Sequence, residues 1–174
     1  MEFNLDRSIE VLKTTPYVLD AYLSQLSKDW INNNEGRDSW SPYDILGHLI
    51  YGERTDWMPR IKTILNDSGN KQFEPFDRFA QLKKEQNKPL QTMIQEFKDV
   101  RKKNLEELIA LNITEKDLKR VGFHPELGKV SLQQLLATWT VHDLGHIGQI
   151  SRVMAKQYLK EVGPWVKYLS ILKK

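Results

Sequence analysis

Apolar residues recur along the chain at steps of three and four, the period of amphipathic helices. A first helical stretch is predicted over residues 5–28. Pro16 lies inside it, so the helix either kinks there or restarts with Pro16 in its first turn. Residues 32–36 are rich in turn formers and read as a loop. Ser41 and Pro42 open a second helix, with Ser41 as N-cap and Pro42 at the first helical position. This helix runs through His48 toward Leu65, with Pro59 as a kink, and residues 66–70 end it. Residues 71–88 read as a long connection with one short helix near 77–86. A third helix is predicted from Pro89 to Leu111. Thr114 and Asp117 have the spacing of a capping box. Residues 121–130 read as a turn or small hairpin. Ser131 caps a fourth helix that runs from Leu132 to about Tyr158. Gly163 and Pro164 break the chain before a last short helix at residues 165–172. Four main helices with one long crossover predict an all-α four-helix bundle with short extra helices, forming a single domain over residues 1–174.

In the fourth helix the inward positions step as Leu132, Leu135, Trp139, His142, His146, Ile150 and Val153. Two of them are histidines four residues apart, one helical turn from each other on the same face. That spacing lets two imidazoles reach one cation. Chance alone can supply such a spacing, and a lone inward histidine is more often a hydrogen-bonded core residue than a ligand. Two adjacent ones are harder to satisfy without a shared partner. His48 adds a third imidazole, again mid-helix between apolar neighbours, and three histidines with open positions have the form of a catalytic metal site. Gly47 and Gly52 flank His48, and Gly145 and Gly148 flank His146; close helix approach, space for a ligand and plain tight packing all account for them.

Helical spacing then nominates supporting groups. Asp44 and Tyr51 lie about a turn either side of His48, and Thr138 and Gln149 lie near the face of the paired histidines, with Trp139 as a pocket residue. Such a group would accept the second ring proton of a ligand and fix its tautomer. Glu53 and Asp143 fall off that face, where an exposed ion pair or a hydrogen bond to a neighbouring helix is the preferred reading. His124, before Pro125, either rims the site or lies at the surface.

Composition narrows the chemistry. The chain has 174 residues, 40% hydrophobic and 28% charged, which is globular rather than disordered. No apolar run is long enough to span a membrane, and the N-terminal residues lack the apolar core of a signal peptide, so a cytoplasmic location is expected. The absence of cysteine removes disulfides, cysteine-ligated zinc, iron–sulfur clusters and a cysteine nucleophile. The net charge of +3 is spread along the chain. Its densest cluster, Arg101-Lys102-Lys103, reads as a solvated helix face, and no nucleic-acid motif accompanies it.

The segments Trp40-Ser41-Pro42 with Leu46-Gly47-His48-Leu49, and Val141-His142-Asp143-Leu144-Gly145-His146-Ile147-Gly148-Gln149-Ile150, resemble the second-helix and last-helix signatures of the DinB-like superfamily of DNA-damage-inducible proteins. The likeness extends to His124-Pro125-Glu126-Leu127-Gly128 and Gly163-Pro164-Trp165. It implies a four-helix bundle of up-down-down-up topology, often a homodimer, with a divalent metal on His48, His142 and His146. Because the family includes bacillithiol transferases, it also implies metal-dependent transfer of a low-molecular-weight thiol to an electrophile, both small-molecule partners. Metal-dependent hydrolysis and non-catalytic metal or ligand binding in a stress response are the alternatives. Imidazole ligands suit zinc, nickel, iron or copper, with zinc or nickel expected first.

Overall fold

The computed structural model describes residues 1–80 and 88–173. In chain order its elements are α1 (Leu5–Leu23), α2 (Lys28–Asn32), α3 (Pro42–Thr55), α4 (Trp57–Leu65), α5 (Leu90–Ala110), α6 (Glu115–Leu118), β1 (Val121–His124), β2 (Gly128–Ser131) and α7 (Leu132–Gln157). Two short 3-10 turns follow at Gly163–Tyr168 and Ser170–Leu172. The strands form a two-stranded antiparallel hairpin with Val121 opposite Ser131. No helix among the described residues is long and apolar enough to cross a membrane.

Helix starts follow local chemistry. Asn4 accepts from the Arg7 N–H at the head of α1. Complete capping boxes join Ser41 to Asp44, Thr114 to Asp117 and Ser131 to Gln134. Two boundaries differ from the periodicity. The first predicted helix is divided, because α1 ends at Leu23 and α2 is a separate short turn. The second breaks at Asp56 rather than Pro59. Pro59 sits in the first turn of α4, where a helix needs no N–H donor, so it causes no kink. The short helix expected near 77–86 falls mostly on residues 81–87, outside the described residues.

Contacts between helices fix their directions. Tyr43 at the head of α3 bonds the Lys88 carbonyl just before α5, and Glu53 near the end of α3 meets Arg101 in mid-α5, so these two run parallel. Asp20 late in α1 meets Lys98 while Leu12 meets Arg101, so α1 opposes α5. Glu53 meets Trp139 while His48 meets His142, so α7 opposes α3. The result is a four-helix bundle of up-down-down-up topology, the two parallel helices joined by the long crossover.

The apolar core is divided along the bundle axis. One cluster gathers Leu12, Trp57, Ile61, Leu108, Leu136 and Trp139. The other gathers Leu19, Ile45, Leu49, Phe97, Ile150 and Val153. Between them lies a layer of buried polar side chains that includes Glu53, Arg101, Asn104 and Asp143.

Pro16 is buried in the middle of an unbroken α1. It has no N–H, so the carbonyl four residues earlier, on Leu12, lacks its helical donor. Arg101 Nη1 fills that gap at 2.7 Å. A proline that should break the helix is thereby tied to the bundle's central cation.

Candidate metal centre

His48 comes from α3, and His142 and His146 come from adjacent turns of α7. Their Nε2 atoms converge. His142 Nε2 lies 3.1 Å from Nε2 of His48 and 3.1 Å from Nε2 of His146. One atom from each of the three lies within 4.8 Å of the other two.

Hydrogen bonding among the rings alone does not account for this arrangement. A neutral imidazole nitrogen has either one lone pair or one proton in the ring plane. His142 Nε2 therefore makes at most one good hydrogen bond, yet it faces two nitrogens at equal distance. A cation satisfies both contacts. A metal about 2.0–2.1 Å from two imidazole nitrogens, near tetrahedral angles, sets them roughly 3.3 Å apart.

The electrostatics suit ligation, which requires neutral rings. Burial, reinforced by the charge of His146, lowers the pKa of both His48 and His142 to about 3. Burial also lowers that of His146, against the opposing influence of Gln149 and Asp143. Gln149 Oε1 lies 2.8 Å from His146 Nδ1. With the amide oxygen accepting, the proton sits on Nδ1 and the Nε2 lone pair points into the cluster. The Nδ1 atoms of His48 and His142 are buried without a hydrogen-bond partner among the described residues. Aromatic rings hold them instead: Trp40 and Phe76 flank His48 at 4.9 and 5.6 Å, and Trp57 meets His142 edge-on at 5.1 Å.

The cluster opens on a pocket of about 480 Å³ lined by Glu35, Asp38, Trp40, Arg78, Phe79 and Gln149, among others. His142 and His146 are half-buried at its floor, whereas His48 is buried. The open side and the neutral donors suit an ion with coordination positions left for a substrate.

The supporting groups nominated from sequence are distributed differently. Gln149 is at the site. Tyr51 stands one ring away, stacked obliquely on Phe76 at 5.3 Å. Trp139 lies a layer deeper, stacked on Trp57 with its indole N–H on Glu53. Asp44 is not brought to His48; its carboxylate accepts from the Ser41 N–H and hydroxyl in the helix cap. Thr138 is exposed, and its hydroxyl donates to the Gln134 carbonyl. His124 lies in the hairpin, where its Nδ1 accepts from the backbone N–H groups of Glu126 and Leu127. Gly145 and Gly148 face open space rather than a packed helix.

Sequence reasoning missed the cluster directly behind the site. Arg101 is 1% exposed, not part of a solvated face. It donates to both oxygens of Asp143, at 2.6 and 3.0 Å, and to Glu53 at 2.8 Å. Glu53 also accepts from Asn104 and Trp139. Burial alone would lower the Arg101 pKa, but the two carboxylates raise it. Glu53 and Asp143 do bond to a neighbouring helix, but as fully buried partners rather than an exposed pair. Two carboxyl groups share one guanidinium in this cluster, directly behind the three histidines. The periodicity of α5 carried the signal: Ile94, Phe97, Arg101, Leu105 and Leu108 form one buried stripe.

A family model described as the DinB superfamily matches residues 12–150. Among solved structures, YfiT from Bacillus subtilis is similar in fold, with a TM-score of 0.74 at 18% identity, covering 88% of this chain and 86% of that one. YfiT is described as a probable metal-dependent hydrolase with an unusual four-helix bundle topology. No curated protein matches significantly.

Proposed function

The chain belongs to the DinB superfamily, and we propose that it is a divalent-metal-dependent enzyme that brings a small nucleophile to an electrophilic substrate. The observation that carries this reading is the approach of two imidazole nitrogens to His142 Nε2 at 3.1 Å, which hydrogen bonds among neutral rings do not explain. A divalent metal held by His48, His142 and His146 would supply the Lewis acidity that makes a water molecule or thiol a nucleophile at neutral pH.

The chain's own residues do the rest. Three neutral ligands leave the charge of such an ion undiminished. Gln149 sets the tautomer of His146. Trp40 and Phe76 cover the His48 ring and keep water from that side. The 480 Å³ pocket gives a substrate room beside the three nitrogens.

The nucleophile is read as a low-molecular-weight thiol, as the family resemblance implies. With no cysteine in the chain, the sulfur must arrive as a cosubstrate. Hydrolysis is the second reading, favoured by the description of the structurally similar YfiT. Elemental analysis of the purified protein should find stoichiometric divalent metal, zinc or nickel first. An electrophile should then be consumed in a chelator-sensitive reaction. Dependence on added thiol selects transfer, and turnover without thiol selects hydrolysis. If His142→Ala leaves both metal content and turnover unaltered, neither reading survives.

A further inference from the structure

The pocket above the three histidines has a charge pattern that the metal reading does not use. Arg78 is an exposed residue on its rim, its guanidinium carbon 5.7 Å from the Trp40 ring centroid and 5.1 Å from that of Phe79. The guanidinium is thus held by two aromatic faces, which leaves its N–H groups free to bind an oxyanion in bidentate fashion. Among the described residues no carboxylate pairs with Arg78. Asp77, next to it in sequence, accepts from the Phe79 N–H instead.

The remaining charges of the pocket do not cancel this cation. Glu35 is held by Arg152 at 2.6 Å and by Lys156 at 3.1 Å, two positive charges on one negative. Asp38 is exposed at the rim. Among the described residues, three cations therefore stand against two carboxylates before any metal is counted. The Trp40 ring that supports Arg78 lies 5.7 Å from its guanidinium carbon and 4.9 Å from the His48 ring, so cation and imidazole are no more than about 11 Å apart. A small molecule spans that distance, with Trp40 and Phe79 as an apolar wall beside it.

We propose that Arg78 is the anion-binding residue of this pocket, and that the substrate carries a carboxylate or phosphate on the arm remote from its reacting atom. The proposal rests on the metal-dependent reading above and specifies the substrate class for that same site. Arg78 fixes where the arm lies, and the histidine cluster fixes where the reacting atom lies.

The test uses cobalt-loaded protein and two thiols of equal length, 4-mercaptobutanoate and 4-mercaptobutan-1-ol. Binding is followed through the sulfur-to-cobalt absorption band. The wild type should prefer the carboxylate thiol by up to about fivefold, the upper end for an exposed ion pair. Arg78→Gln should remove that preference while leaving affinity for the alcohol unchanged, and Arg78→Lys should restore part of it. An equal preference in Arg78→Gln overturns the proposal, as does binding of both thiols to the wild type without preference. Failure of either thiol to perturb the cobalt band also overturns it. Failure to take up cobalt at all is a different result: it overturns the metal-dependent reading, and this proposal with it.

Discussion

Two polar clusters lie side by side in the middle of this bundle, and they follow opposite electrostatic rules. In the first, Arg101 is buried between the carboxyl groups of Glu53 and Asp143, and hydrogen bonds join α1, α3, α5 and α7 through it. In the second, burial pushes the three imidazoles toward the neutral form, their nitrogens face one another, and two Nδ1 atoms lack a hydrogen-bond partner among the described residues. The ion cluster is complete as it stands. The histidine cluster instead sets two imidazole nitrogens equally close to His142 Nε2, an arrangement that suits a shared cation. The first holds the helices in place, and the second is held by them. Glu53 is five residues beyond His48, and Asp143 is next to His142, so clamping these carboxylates to one guanidinium also sets the two ligand-bearing helices against each other.

The largest expected effect breaks the first cluster. Arg101→Met should destabilise the protein by about 3–5 kcal/mol, because it strands two buried carboxylates without a counter-charge. It also removes the donor that serves the Leu12 carbonyl below Pro16. Denaturant unfolding measures the loss. A cost under about 1 kcal/mol would mean that the cluster is not what holds the helices.

Next in size is a pH effect that separates the clusters. In metal-free protein His48 and His142 are held near pKa 3, chiefly by burial, against about 6.5 in an unfolded chain. Between those values the unfolded state binds more protons, so stability rises with pH. The contribution is whole above about pH 6.5 and is lost as the pH falls toward 3. Asp56 works the other way. Burial raises its pKa to about 6, so its contribution favours folding in acid and is lost as the pH rises through 6. Two histidines with the larger displacement outweigh one aspartate, and the net result is acid lability between pH 6 and 4. Unfolding curves taken across that range in the presence of a chelator test it; a flat profile would show that the imidazoles are not buried as neutral groups.

The same contrast explains how much the sequence disclosed. Helical period and the Ser41, Thr114 and Ser131 caps are local signals, set within one or two turns, and they anticipate the four-helix bundle, although the first two predicted helices are each divided; the four-residue step of His142 and His146 is a local signal of the same kind. The ion cluster is non-local. Arg101 meets Glu53 and Asp143 across 48 and 42 residues, and beside Lys102 and Lys103 it looks like surface charge. Only its place in the apolar stripe of α5 marks it as inward. The buried face of α7 differs from its apolar period for a related reason. Its most buried line runs through Trp139, Asp143 and Ile150, and the histidines sit at the edge of that line, half-buried, where a pocket reaches them. Counting hydrophobic neighbours favours histidine over aspartate for a core position, because it cannot see the guanidinium waiting on another helix.

A smaller effect sharpens the second cluster. Gln149→Ala should lower metal affinity by about 10–100-fold, the usual cost of losing the group that orients a histidine ligand. Gln149 is half-buried at the pocket edge, so stability should change little. Competition with a chromophoric chelator reads the affinity. An unchanged affinity would leave the tautomer of His146 set by something other than this 2.8 Å contact.

The smallest expected effect concerns Asp44, which helical spacing placed beside His48 and the structure places in the cap of α3. With Asp44 in the cap, Asp44→Ala costs about 1 kcal/mol of stability through the lost capping box and leaves metal affinity unchanged. If Asp44 instead orients His48, metal affinity should fall as it does for Gln149→Ala, while stability changes less. Thermal unfolding of the metal-free protein and metal titration of the same variant separate the two outcomes. Among the described residues the Nδ1 of His48 has no hydrogen-bond partner, and its ring is flanked by Trp40 and Phe76 as well as by the other two imidazoles. Packing holds that ring where a hydrogen bond to Gln149 holds His146, so the two ligand candidates should differ in how far a single polar substitution affects them.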